Sequence, residues 1–350
     1  MFNFEYVGNL HIHSSYSDGA NTSSEIIGAA KRAGLDFICL NDHAHMVKAL
    51  HLAEEGLYGN VLLLVGSEIG VSCHHYLAYG LKEEVKSNDQ DPQRVIDQVN
   101  SQGGLGFLAH PFEKGMPFVQ KSIAYIWHDF SVTGFTGICI WNYMSRWKER
   151  VKSIFHGMYF LMFKKQTLKG PSRQTLTLWD DLCQQRRVVA IGGSDVHGTL
   201  FKWGLINLRP FSYDYLLGTI NIHIFLNKRM PRDFKEAKEE IYSAMREGRL
   251  FIAHDRLAPA RGFKFDFIAD DGSDSFMGEK SFFQKGNLIM EIPKNGEIRL
   301  IRNGMLEKTW VGTEAIYRVE ERGVYRVEVY IRHFPFGLRP WIFSNPIYLR

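Results

Sequence analysis

Apolar residues along the first two hundred positions fall into short runs separated by amphipathic stretches. Phe4–Ile12, Phe37–Leu40, Val61–Val65, Tyr76–Leu81, Leu105–Leu108, Gly137–Trp141 and Val188–Ile191 read as strands. Between them Ser23–Ala33, Met46–Glu55 and Pro92–Gln102 carry helical periodicity, and Thr22 with Glu25 has capping-box spacing at the first of these. Strands alternating with helices predict an α/β fold with a largely parallel sheet or barrel. Beyond a helical stretch at Asp233–Arg249, ending near Gly248, the texture becomes β-rich: Lys264–Ala269, Asn287–Ile292, Ile298–Arg302, Glu314–Val319 and Val324–Ile331. Asn295-Gly296 and Asn303-Gly304 read as turns between them, so a C-terminal all-β, sandwich-like module is expected. Arg146–Lys165 resists the scheme, because an apolar centre is flanked by basic residues. The plain reading is a helical insertion packed on the rest; a lid or a lipid-touching surface are the alternatives.

Composition narrows the function classes. A formal charge of +4 over 350 residues provides no broad basic field, which argues against a stable nucleic-acid partner. No apolar run reaches the ~18 residues of a membrane span. Met1–Leu10 lacks a basic stretch followed by an apolar one, so no secretory signal is read there. Cys39, Cys73, Cys139 and Cys183 are scattered without a CxxC pair, so a reducing, cytoplasmic setting is the simplest expectation. Fourteen histidines against four cysteines is the imbalance that matters, because imidazole is the commonest metal ligand.

Those histidines follow the strands. His11 and His13, two apart, share one face at the end of the first run, and Asp18 follows in a Ser-Asp-Gly turn. Asp42-His43 ends the second run, Glu68 lies just beyond the third, His75 precedes the fourth, His110 follows the next, and Asp195 and His197 close the last. Unrelated core histidines would not keep to strand ends, and each would need a partner of its own. Mixed nitrogen and oxygen donors without thiolates suit two or three divalent ions of zinc, manganese or iron.

Taken in order, His11-x-His13…Ser17-Asp18-Gly19, Asp42-His43, Glu68, His75, Ala109-His110-Pro111 and Ser194-Asp195-x-His197 resemble the PHP (polymerase and histidinol phosphatase) superfamily, roughly over residues 5–200. The resemblance implies a distorted seven-stranded (β/α) barrel over residues 1–225 with a helical insertion at about 144–175, then a helical connector at 226–260 and the β-rich module at 261–350. It also implies that His11, His13, Glu68 and Asp195 hold one metal, that Glu68 bridges to a second held by His75 and His110, and that Asp18, His43 and His197 hold a third. The neighbouring His74 competes with His75 for its place. Ser212–Tyr215, Ile220–His223 and Trp341–Tyr348 look like the carbaryl-hydrolase branch, whose relatives often carry a Glu near the position of Cys139.

The chemistry implied is hydrolysis by a metal-bridging hydroxide, with Glu68 and Asp195 central and His45 as a candidate proton donor. Ser14, Ser15 and Ser194 read as turn or supporting residues, Asp42 as an orienter of His43 or a neighbouring ligand, and His223 and His254 as packing residues. A phosphate ester is the leading small-molecule substrate, with Arg146, Lys148 and Lys202 as candidate phosphate contacts. The runner-up is a carbamate, ester or amide, held by an apolar pocket of Trp141, Tyr143, Trp147 and Phe201. A non-catalytic metal-stabilised module is the third reading. Self-association stays open.

Overall fold

The computed structural model describes residues 2, 4–118, 124–203 and 206–350. Strand β1 (Phe4–Ile12) pairs in parallel with β2 (Phe37–Leu40), and Gly8 admits the contact: a Cβ there would lie 2.2 Å from the Phe37 ring. Between them runs α1 (Ser23–Ala33), with Thr22 and Glu25 forming the reciprocal capping box and Gly34 closing it in the left-handed conformation. A hairpin of β3 (Gly56–Tyr58) and β4 (Val61–Ile69) follows, β4 parallel to β2. Next come β5 (Tyr76–Tyr79), α2 (Pro92–Ser101) and β6 (Leu105–Leu108); β5 lies antiparallel between β4 and β6. After β7 (Gly137–Asn142), parallel to β6, the chain passes through α3 (Tyr143–Lys148), α4 (Ile154–Met162), α5 (Lys164–Thr167) and α6 (Arg173–Gln185) to β8 (Val189–Gly193), parallel to β7. Backbone bonds from Ser194 N to Leu10 O, Val196 N to His11 O and His13 N to Val196 O join the end of β8 back to β1.

A two-stranded sheet of β9 (Phe201–Trp203) and β10 (Ile206–Leu208) precedes α7 (Tyr213–Leu216). Strand β11 (Ile220–Leu226) pairs antiparallel with β1, and α8 (Phe234–Glu247) leads to β12 (Leu250–His254) beside β11. The C-terminal part holds β13 (Lys264–Ala269), β14 (Asp274–Phe276), β15 (Lys280–Ser281), β16 (Gly286–Arg302), β17 (Met305–Val319), β18 (Gly323–His333), β19 (Gly337–Ser344) and β20 (Ile347–Leu349). Its own core gathers Phe263, Phe265, Phe267, Met290, Ile298, Leu300, Val327 and Trp341.

Four expectations change. Seven strands were expected, whereas 18 of the described strands share one hydrogen-bonded sheet, because β12 pairs with both β11 and β19. The β-rich part is therefore a continuation of that sheet, and Leu250–His254, within the expected helical connector, is the strand that joins it. Met46–Glu55 forms only a 3-10 turn at Leu52–Glu54; Met46 is exposed and Val47, Leu50 and Leu52 are only half-buried, too little to sustain a helix. Asn295-Gly296 lies inside β16, where Pro293 lacks an N–H for the ladder and the pairing with β17 shifts register. Asn303-Gly304 does turn the chain, with φ of 51° and 81°. Finally, α4 buries only Phe160, so the apolar stretch around it is not a packed face.

Candidate metal centre

The cluster is assembled where β1, β2, β4, β6 and β8 end. His11 and His13 leave β1 on one face, and both are fully buried. His11, His110 and Asp195 hold left-handed backbone, with φ of 68°, 28° and 56°. A non-glycine residue there costs on the order of 1 kcal/mol or more, and such strain persists where surrounding structure imposes it, often at functional sites. The loop carrying Asp18 is drawn in by Gly19, whose hypothetical Cβ would lie 2.3 Å from His13 O. Asp42 does not face an imidazole. Its carboxylate accepts from Ser14 N and Ser14 Oγ at 2.8 and 2.7 Å and from Ser17 Oγ, so it shapes this loop.

Glu68 stands at the centre, tied to the end of β2 by Glu68 N to Asp42 O and Ala44 N to Glu68 O. One oxygen, Oε1, faces His75 Nδ1 at 2.8 Å and His110 Nε2 at 3.3 Å. The other, Oε2, faces His11 Nε2, His13 Nε2 and His43 Nδ1 at 3.2, 3.3 and 3.3 Å. Asp195 Oδ1 meets His11 Nε2 and His13 Nε2 at 3.3 and 3.4 Å. On the outer side Asp18 Oδ2 lies 3.3 Å from His197 Nε2 and 3.6 Å from His43 Nε2, while Asp18 Oδ1 lies 3.6 Å from His13 Nδ1.

These spacings and donors fit divalent cations. Two ligand atoms each about 2.1 Å from a common ion lie about 3.0–3.4 Å apart at tetrahedral or octahedral angles. Both nitrogens of His11 and His13, with His43 Nδ1, are buried without a hydrogen bond, which is costly for groups with no other partner. Four overlapping sets of three or four of these residues bring their ligand atoms within 4.8 Å of one another. Burial opposes charge at His13, yet the adjacent Asp195 and Glu68 carboxylates carry its pKa up to about 10. Burial pulls His43 down to about 4. Burial also resists ionisation of Glu68, but His11 and His75 hold its carboxyl well below the usual range. His11 and His13 do the same for Asp195.

The remaining expected residues divide. His75 joins the cluster, whereas His74 turns away, with Nδ1 3.1 Å from Asp89 O and Nε2 accepting from His128 N. His45 sits exposed beside His43, rings 5.3 Å apart, with Nδ1 3.2 Å from Gly70 O. Ser14 serves the loop, and Ser194 Oγ donates to Leu216 O at 2.7 Å and accepts from Asn9 Nδ2 at 2.8 Å. Arg146 is engaged within the chain, Nε donating to Gly170 O and Nη1 to Glu149. Lys148 is half-buried and ion-paired with Glu113 near Asp195. The side chains of Lys202 and Phe201 lie outside the described residues. Trp141, Tyr143 and Trp147 form no pocket: all three are buried, Trp141 donates to Lys169 O, and Trp147 packs edge-on against Phe211. Cys139 is buried beside the cluster, and burial pushes its thiol up to about 12, so it stays neutral. His223 is bound by Glu5 and Asp255, and His254 packs near Trp141, away from the cluster.

Three supporting residues had no sequence signal of comparable strength. Glu113 faces His110 Nδ1 at 3.3 Å and accepts from Ser145 Oγ while holding Lys148. Asn142 donates from Nδ2 to Asp195 Oδ2 at 3.1 Å and caps α3 through Oδ1. Tyr125 stacks on His75, ring centroids 4.2 Å apart. A His-Pro-x-Glu reading, with the acid three residues past His110, would have flagged Glu113.

A family model described as the PHP domain matches residues 9–294. Among solved structures, a two-domain protein from Bacteroides vulgatus containing a predicted PHP-like metal-dependent phosphoesterase is similar at 16% identity, over 97% of this chain and 95% of its own, with a TM-score of 0.48. A protein from Bifidobacterium adolescentis assigned as a metal-dependent phosphoesterase matches at 15% identity, over 58% of this chain and 92% of its own, TM-score 0.34. An amidohydrolase from Chromobacterium violaceum with bound sulfate and no metal matches at 15% identity, over 54% and 87%, TM-score 0.29. No curated protein matches in sequence.

Proposed function

The chain belongs to the PHP family, and from that premise we propose that it is a metal-dependent phosphoesterase hydrolysing a phosphomonoester or a small phosphodiester. The observation that carries this reading is the convergence of six histidines and three carboxylates around Glu68. His11, His13, Glu68 and Asp195 would hold one ion, Glu68, His75 and His110 a second, and Asp18, His43 and His197 a third. Zinc, manganese and iron all suit that donor set. Such ions supply Lewis acidity toward a phosphoryl oxygen and lower the pKa of water toward neutrality.

The chain's own residues do the rest. Glu68 presents one oxygen to each side of the cluster, as a bridging ligand must. Asn142 fixes Asp195, and Glu113 fixes His110. The Lys148 ammonium, held by Glu113 near Asp195, would meet an anionic substrate oxygen. His45, at the exposed rim, would give the leaving group its proton. We read the ring β1, β2, β4, β5, β6, β7 and β8 as the distorted seven-stranded barrel, residues 1–225 as the metal-holding unit, 226–260 as its connector and 261–350 as the appended β-rich part. The carbamate, ester or amide alternative rests on the C-terminal resemblance, and the buried Trp141, Tyr143 and Trp147 would offer its leaving group little exposed surface.

A paired screen of aryl phosphomonoesters, aryl phosphodiesters and aryl carbamates on manganese-, zinc- or iron-loaded protein tests the proposal. Phosphate ester turnover is expected, with Asp195→Asn lowering kcat/KM at least about a hundredfold. Turnover of carbamates alone, or phosphatase activity that survives Asp195→Asn, would sink it.

A further inference from the structure

The apolar residues of α4 face outward. Phe155 and Met162 are each 74% exposed, and Ile154, Met158 and Tyr159 are also exposed, leaving Phe160 as the helix's buried anchor. Arg150 lies over the Phe160 ring at 4.0 Å and pins the helix from one side. The turn between β18 and β19 abuts the helix end, with Phe336 and Phe163 ring centroids 5.2 Å apart, and it presents Phe334, 91% exposed. Five large apolar side chains on a nine-residue helix, with an exposed aromatic on a second element beside it, mark an interaction surface.

Its surroundings are net positive. From Arg150 through Trp179 the chain carries Arg150, Lys152, Lys164, Lys165, Lys169 and Arg173 and no Asp or Glu, and Arg332 and Arg339 flank the neighbouring turn. Lys152, Lys169, Arg173 and Arg332 are exposed. The ion pairs of α3, Arg146–Glu149 and Lys148–Glu113, lie before this segment and take up the nearby acids. An aromatic and aliphatic face rimmed by cations matches an interface of hydrocarbon under anionic headgroups.

We propose that α4 and the Phe334 turn form a docking site for an anionic lipid bilayer surface, with Phe155, Met158, Met162 and Phe334 entering the headgroup–acyl boundary and Lys152, Lys169, Arg173 and Arg332 meeting the headgroups. The site binds a surface and does not span it: no described helix is long and apolar enough to cross a membrane. This inference does not depend on the hydrolytic reading.

The test is flotation of the full chain with vesicles of phosphatidylcholine alone and of phosphatidylcholine with phosphatidylserine, at low and high salt. The chain is expected to float with the phosphatidylserine vesicles at low salt and to dissociate at high salt. Phe155→Ser with Met158→Ser, Lys152→Glu with Lys169→Glu, and Phe334→Ser alone should each lower the bound fraction, the charge-reversed pair at least about tenfold. All these side chains are exposed, so the thermal midpoint should match the parent. Absence of flotation, equal binding to neutral vesicles, or binding indifferent to all three variants overturns the proposal. So does a dimer by sedimentation equilibrium that Phe155→Ser with Met158→Ser dissolves, since a second copy would then cover the face.

Discussion

Asn142 divides its amide between two tasks, donating to Asp195 and capping α3. Residues that orient a metal ligand typically contribute ten- to hundredfold in affinity. Asn142→Ala is therefore expected to weaken zinc or manganese binding by about that factor in a chelator competition, with Asp195 itself unchanged. His223 gives a separate, pH-dependent expectation. It is fully buried, and Asp255 and Glu5 overcome that burial to raise its pKa to about 9. A pKa raised on folding contributes stability that is complete below the ordinary value near 6.5 and fades as pH rises through about 9. Urea midpoints should fall across that window, and His223→Gln should flatten the fall. The clustering of these side chains was legible in the sequence, because HxH, DH, HP and SDxH segments sit at strand ends where side chains converge. Tyr125 was hidden, since only the folded path after β6 brings it to His75, whereas Glu113 stands three residues past His110 in a local signal that was passed over.

Among the elements, local chemistry was the most legible. Thr22 and Glu25 form the capping box that their spacing promised, and Gly248 ends α8 in the left-handed conformation. Thr22→Ala should destabilise by about 1 kcal/mol in urea unfolding. Segments whose structure depends on burial were harder to read. Met46–Glu55 has the helical pattern but only half-buries its apolar residues, and Asn295-Gly296 has turn chemistry inside a strand interrupted by Pro293. The α4 segment shows the same limit: its apolar residues look like a core face and lie in solvent.

At the scale of the molecule, one sheet runs through both parts. Asn345 bonds both the N–H and the C=O of Ala190 in β8 and also reaches Leu250 O. Arg326 of β18 grips Asp180 of α6 through two bonds of 2.7 and 2.8 Å, both side chains buried. Asp180→Ala would leave the buried guanidinium held by Glu328 alone, and a loss of about 2–3 kcal/mol is expected in urea unfolding. Calorimetry should show a single transition for the parent chain. This continuity was invisible in the sequence, because strand pairing between distant segments follows from register rather than composition. The central claim is the metal centre itself, and elemental analysis of the purified chain tests it most directly. About two or three equivalents of zinc, manganese or iron per chain are predicted, falling sharply in a folded Glu68→Gln variant. A parent chain that retains no such metal when loaded and desalted, or a Glu68→Gln variant that retains as much as the parent, would contradict it.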